Sequence, residues 1–268
     1  MKLNWKNGLL RPLVIIAVYF AWFFTVTRLF FAYVYQDTEW FRTNTLVTIL
    51  LNDIVGLPLM IAAIWLLFRQ NLFAEARFRR MQGPSVAICL WIGLGAGLFT
   101  AAFSQLPFIR SSDYQFQTLF DYINRADWYV FLGFLLLGNV YKETLFRGML
   151  LNSFRLLMPV WAAIALQGVL YGALFFLGDV PLSLYGFLGA VLFGLLYVWF
   201  DSIWAPIAAQ IACQGLQYAL WRYAPDLGGE GTLAAIMAAA LAMIVSGVLL
   251  ASRKRRVPPA PAVRTARA

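Results

Sequence analysis

Long apolar runs separated by short polar breaks make up most of the chain. They recur at a length close to the ~20 residues that a helix needs to cross the hydrocarbon core of a bilayer. The runs lie at about 9–33, 46–68, 84–103, 128–151, 160–177, 182–200, 203–221 and 232–251. In hydrocarbon a backbone amide finds no water, so the helix, which pairs N–H with C=O internally, is the expected form. The pattern therefore predicts an all-α fold: a polytopic membrane helix bundle of about eight transmembrane helices. It is read as a single transmembrane domain over 1–252, followed by a basic, Pro-rich tail at 253–268. The fifth and sixth runs are joined by the tight "GDVP" at 178–181, and the sixth and seventh meet at Asp201 and Ser202. The stretch from Ser104 to Asp127 is the longest outside loop, and its aromatic residues predict partial lodging at the membrane interface. Gly93, Gly95 and Gly97, and the pair Gly168 and Gly172, sit at spacings that let helices approach closely, which is read as internal packing.

Composition supports that picture. The chain is 62% hydrophobic and only 12% charged, whereas soluble domains carry about 25% charged residues. In a soluble protein a net charge of +9 points to nucleic acid. Here the basic residues fall in loops and tails, and no nucleic-acid partner is expected. With the N-terminus inside, Lys2, Lys6, Arg11, Arg69, Arg77, Arg79, Arg80, Arg147, Arg155 and the tail share one side, against Arg42, Arg110, Arg125 and Arg222 on the other. The positive-inside rule then predicts an N-in, C-in, multi-pass protein of a plasma membrane, the inner membrane in bacteria. The expected partners are membrane lipids, with the tail close to anionic headgroups. The first run is too long for a signal peptide and lacks a small-residue cleavage pattern, so it is expected to stay as a span.

Residue types narrow the chemistry further. There is no histidine, which removes His-based zinc sites and Ser-His or Cys-His pairs. Cys89 and Cys213 both lie in apolar runs and are expected as packed thiols. No cofactor and no metal is expected. An aspartyl dyad is not indicated either: "LGD" at 177–179 lacks the Gly that precedes it in a GxGD pattern, and no Ser is placed to pair with a lysine base.

The polar residues inside the runs carry the candidate chemistry. The fourth run ends in "NVYKETLFRGML", 139–150. An ionised side chain at mid-membrane costs about 2.5–3.5 kcal/mol on insertion scales, so such groups usually pair, face the bundle interior and mark function. Glu143 and Arg147 are four residues apart and stack on one helical face, with Asn139 four residues earlier on the same face. The pair has two readings, a functional site or an ion pair closing one end of the bundle. Lys142 points about 100° away from Glu143 and is free to meet another helix. Asn52, Asp53 and Arg28 are further polar residues in apolar runs, and charge balance would pair Asp53 with Arg28 or with Lys142.

The order of these features resembles the CPBP family, the membrane-embedded CAAX proteases and bacteriocin-processing enzymes. Its first motif, Glu-Glu-x-x-x-Arg, is similar to "YKETLFRG": Glu143 and Arg147 match, and Lys142 stands at the first Glu. Its second motif, Phe-x-x-x-His, aligns with "GVLYGALFF", with Tyr171 for the Phe and Phe175 for the His. Its third, His-x-x-x-Asn, aligns with "SIWAPIAAQIACQ", with Gln210 for the His and Gln214 for the Asn. The resemblance spans about 128–221. It implies a water activated by glutamate and His, an oxyanion held by the third-motif residues, and a membrane or prenylated peptide as substrate or ligand. Lys142, Phe175, Gln210 and Gln214 all depart toward lost acid–base capacity, since an amide exchanges no proton at neutral pH and a phenyl ring has neither lone pair nor proton. The chain is therefore read as a degenerate, non-proteolytic member that acts as a membrane binding or accessory protein. The alternative is an active intramembrane glutamate endopeptidase that uses Glu143 with Gln210 and Gln214. A transporter would show inverted repeats and broken helices at mid-span, and no such repeat is visible in the sequence.

Overall fold

The computed structural model describes residues 6–111, 116–176 and 179–255. The predicted tail from Arg256 onward and residues Leu177 and Gly178 of the predicted turn lie outside the described residues. The described residues are helical throughout their regular structure. In chain order the α-helices are α1 (Arg11–Leu29), α2 (Glu39–Thr43), α3 (Val47–Phe68), α4 (Leu72–Glu75), α5 (Gly83–Phe103), α6 (Pro107–Arg110) and α7 (Phe116–Asn124). They continue as α8 (Trp128–Gly133), α9 (Asn139–Glu143), α10 (Asn152–Phe154), α11 (Val160–Phe175), α12 (Val180–Phe200), α13 (Trp204–Tyr223) and α14 (Glu230–Arg253).

All eight predicted runs are helical, but they differ in fitness for a membrane. Among the described residues five helices are long and apolar enough to cross one: Gly8–Val34, Val47–Phe68, Gly83–Phe103, Val180–Phe200 and Glu230–Arg253. Helix α11 is apolar but only 16 residues long. The apolar surface of α13 is diluted by Gln210, Gln214, Gln217 and Arg222. The fourth run is broken into α8, α9 and α10 by two π-helical stretches, Phe134–Gly138 and Thr144–Leu151. The described residues thus supply five such helices where the runs predict about eight crossings.

That fourth run is the centre of the bundle. Every residue from Glu143 to Arg155 is buried. A helix buried on all sides must satisfy its polar groups within the protein. Tyr141, Leu145, Phe146, Met149 and Phe154 pack in one cluster with Ile15 and Tyr19 of α1, Met60 and Ile64 of α3, Ile164 of α11 and Ile207 of α13.

Glycines set how closely the surrounding helices approach. A Cβ on Gly93 would lie 2.1 Å from the carbonyl oxygen of Ala209, and one on Gly97 would lie 2.5 Å from that of Cys213. These two positions, one turn apart, seat α5 directly on the backbone of α13. Gly95 faces the opposite way, where its Cβ would meet Met243 of α14 at 2.9 Å. Gly172 lies against the Ser183 carbonyl and Gly168 against Phe187, which closes α11 onto α12. The predicted packing role of both glycine groups is what the structure shows.

The ends of the bundle are tied by polar contacts. Asp201, in the left-handed conformation (φ 52°) at the end of α12, receives Arg77 and Arg79, while Arg11 pairs with Glu75. At the other end Asn44 donates to the Asp127 carboxylate at 2.8 Å and Tyr129 donates to it at 2.9 Å. Those two bonds hold the Asp127 carboxyl below its usual range. In the 104–127 loop Ile109, Phe116 and Phe120 bury against Leu182, while Phe108 stays exposed. Cys89 and Cys213 are free and buried, as expected of packed thiols.

Candidate functional site

The two π stretches flank α9, so Glu143 ends a short α segment just before the helix widens. Such π bulges recur at functional sites because they redirect side chains within an otherwise regular helix. The Glu143 carboxylate is fully buried, and its Oε1 accepts from Arg147 at 2.8 Å. The same oxygen accepts from Gln210 Nε2. Arg147 extends the contact: a second guanidinium nitrogen donates to the Ala190 carbonyl at 3.2 Å. Its charge also lies over the rings of Tyr171 and Phe193, 5.5 and 5.9 Å from their centroids. One residue thus joins the central helix to α11 and α12.

One turn earlier, Asn139 Nδ2 donates to Gln214 Oε1 at 2.8 Å. Asn139 and Glu143 are four apart on one helix, and Gln214 and Gln210 are four apart on α13. Since Asn139 meets Gln214 and Glu143 meets Gln210, the two helices run antiparallel and form a ladder of two rungs. The i,i+4 spacing on both helices is what makes two rungs fit.

Beside the ladder lies a mostly apolar cavity of about 820 Å³. Its wall includes Asp53, Lys142, Tyr171, Phe175, Gln210 and Gln214. Among the described residues Glu143 and Arg147 do not contribute to that wall; they sit behind Gln210. Phe175 packs edge-on or tilted against Tyr171, Phe146 and Tyr19, with centroids 4.9, 5.6 and 6.3 Å away. Asp53 accepts from Asn52 at 3.1 Å, and its other oxygen lies against Gly138, where a Cβ would come within 3.2 Å. Of the two partners proposed for Asp53, Arg28 is exposed on the bundle surface, and Lys142 shares the cavity wall with Asp53. Among the described residues no ion pair within 4.0 Å joins Asp53 to either.

The residues singled out in the sequence therefore gather in one region. Glu143, Arg147 and Gln210 are in direct contact, Gln214 is one rung away, and Lys142 and Phe175 face the chamber. Sequence reasoning missed a second polar group on the same wall. Thr100 and Tyr185 share a hydrogen bond of 3.2 Å, and Gln217 approaches Tyr185 at 3.5 Å. The available signal was the recurrence of Gln210, Gln214 and Gln217 on one face of α13.

The comparison with protein families decides how this region is classed. A family model described as "Type II CAAX prenyl endopeptidase Rce1-like" matches residues 124–216. This segment is Rce1-like. It contains the whole ladder, Arg147, Lys142 and Phe175, and it agrees closely with the motif-bearing region at about 128–221. The match covers about a third of the chain and leaves α1, α3, α5 and α14 outside the Rce1-like segment. The segment is similar to the CAAX prenyl endopeptidases, and it lies in a chain with five helices, among the described residues, long and apolar enough to cross a membrane. No curated protein and no solved structure matches it.

Proposed function

We propose that the protein is a non-proteolytic member of the CAAX protease family, an accessory protein that holds a membrane or prenylated peptide in its cavity without cutting it. The observation behind this reading is the seating of Glu143 behind the cavity wall, its Oε1 already taken by Arg147 and Gln210. A general base must reach the proton it removes, within about 2.6–3.2 Å or through one water. Phe175, Gln210 and Gln214, which do face the chamber, exchange no proton at neutral pH. On this reading Glu143 and Arg147 are structural: they lock the central helix to α13 and α12.

The competing reading, a glutamate endopeptidase that uses Glu143 with Gln210 and Gln214, draws on one feature. Among the described residues Glu143 Oε2 accepts no hydrogen bond, and both glutamines border the chamber. The test is to incubate the purified protein in vesicles with a farnesylated CAAX peptide and follow release of the C-terminal tripeptide. The expected outcome is release no faster than in empty vesicles. Release by the unmodified protein that disappears in the double variant Glu143→Leu/Arg147→Leu would overturn the reading.

The proposal includes the setting. The protein is a multi-pass component of a plasma membrane, bacterial inner membrane included, with both termini inside, a domain over 1–252 and a basic tail drawn to anionic lipid. Reporter tags at the N- and C-terminus are expected to be reached from the same, inner side only. Tags reached from opposite sides would mean an odd number of crossings.

A further inference from the structure

The cavity wall holds a cation that the rest of the site does not use. Lys142 faces the chamber from the central helix, about 100° round from Glu143. Glu143 turns its accepting oxygen to Arg147 and Gln210 instead. Asp53 is within electrostatic reach of Lys142, yet among the described residues no carboxylate lies within 4.0 Å of the lysine. Much of the remaining wall is aromatic or aliphatic, with Phe20, Phe23, Phe99, Leu241 and Ile244 among its members. An ammonium in such a chamber is strongly stabilised by an anion at contact distance. A second donor is at hand: Gln214 gives its carbonyl to Asn139, which leaves its NH₂ on the same wall. The volume of about 820 Å³ falls within the roughly 300–1,000 Å³ that accommodates a single drug-sized ligand.

We propose that Lys142 anchors the acidic head of a single-chain amphiphile, a carboxylate or a phosphate ester, whose tail lies along the aromatic wall. This rests on the reading that the chamber binds rather than cleaves. It adds the class of group that is recognised, at the position where the family pattern places an acid and this chain a base. Asp53 is then the competing anion for the same ammonium, and it lowers affinity for the ligand's head.

The experiment uses the purified full chain in nanodiscs and four radiolabelled probes of equal chain length: hexadecanoic acid, hexadecyl phosphate, hexadecanol and hexadecylamine. The acid or the phosphate is expected to bind at least tenfold more tightly than the alcohol, and the amine most weakly. Whichever anion binds better identifies the source, free fatty acid or phosphorylated lipid. Lys142→Met is expected to bring the preferred anion down to the level of the alcohol. Lys142→Arg is expected to retain the preference, and Asp53→Asn to strengthen it. Equal binding of acid, phosphate and alcohol by the unmodified protein would overturn the anchor while leaving a binding chamber in place. Failure of all four probes would overturn the anchor alone, and peptide cleavage would overturn the non-proteolytic reading alone. The comparison within the unmodified protein does not depend on the folding of any variant.

Discussion

Glu143→Leu is expected to leave little folded protein, and to do more damage than Arg147→Leu. Both side chains are buried, and removing one partner of a buried ion pair typically costs about 3–5 kcal/mol. The asymmetry comes from what each loss leaves behind. Without Glu143, the Arg147 guanidinium keeps a charge that it cannot shed, with the Ala190 carbonyl and two ring faces as its remaining contacts. Without Arg147, Glu143 keeps the Gln210 donor and is able to take up a proton. The double variant Glu143→Leu/Arg147→Leu removes both charges and is expected to recover most of the stability, since apolar side chains often replace buried pairs at little cost. Thermal midpoints in detergent, followed by tryptophan fluorescence, and the monodisperse yield give the order. A double variant as damaged as the sum of the two singles would show that the pair is not what holds the central helix.

Gly93→Ala is the second large effect. In an open helix the change would gain about 0.5–1 kcal/mol from the better helix former. Here the new methyl group would sit 2.1 Å from the Ala209 carbonyl oxygen, which is backbone and has no side chain to swing aside. Helix α5 must then lift from α13, at a cost of about 1–3 kcal/mol or more. The displaced stretch of α13 is adjacent to Gln210, so the ladder is disturbed along with the packing. Gly95→Ala presses on Met243 of α14 instead and is expected to lower stability without loosening the ladder. Gly83→Ala, with nothing within 4 Å, is the control and is expected to be neutral or slightly stabilising. Thermal midpoints in the order Gly93→Ala lowest, then Gly95→Ala, then Gly83→Ala at or above the unmodified protein check the argument. A Gly93→Ala midpoint equal to that of Gly83→Ala would refute the close α5–α13 contact.

The parts of the site that were legible in the sequence are those set by spacing along one helix. Asn139, Glu143 and Arg147 fall on one face by the helical period alone, and the pair closes as that period requires. The aligned motifs picked out Gln210 and Gln214, but the rungs they form with Glu143 and Asn139 depend on two helices running antiparallel in one register, and local pattern carries no register between helices. The hidden π turns are a further case. They change the pitch of the fourth run without changing its apolar character, so the run reads as an unbroken span. Aromatic residues suit both a membrane interface and a core cluster, and only the tertiary packing shows that Phe116 and Phe120 join a cluster with Leu182.

From sequence alone followed a helical membrane protein, the positions of its helices, the absence of histidine chemistry and the charged face at Glu143 and Arg147, because run length, composition and period are properties of the chain. Only the tertiary structure decided which way each charge looks. Neighbouring residues on a helix differ by about 100° in direction, so once the surrounding helices are in place, burying Glu143 against Arg147 and Gln210 turns Lys142 toward the chamber.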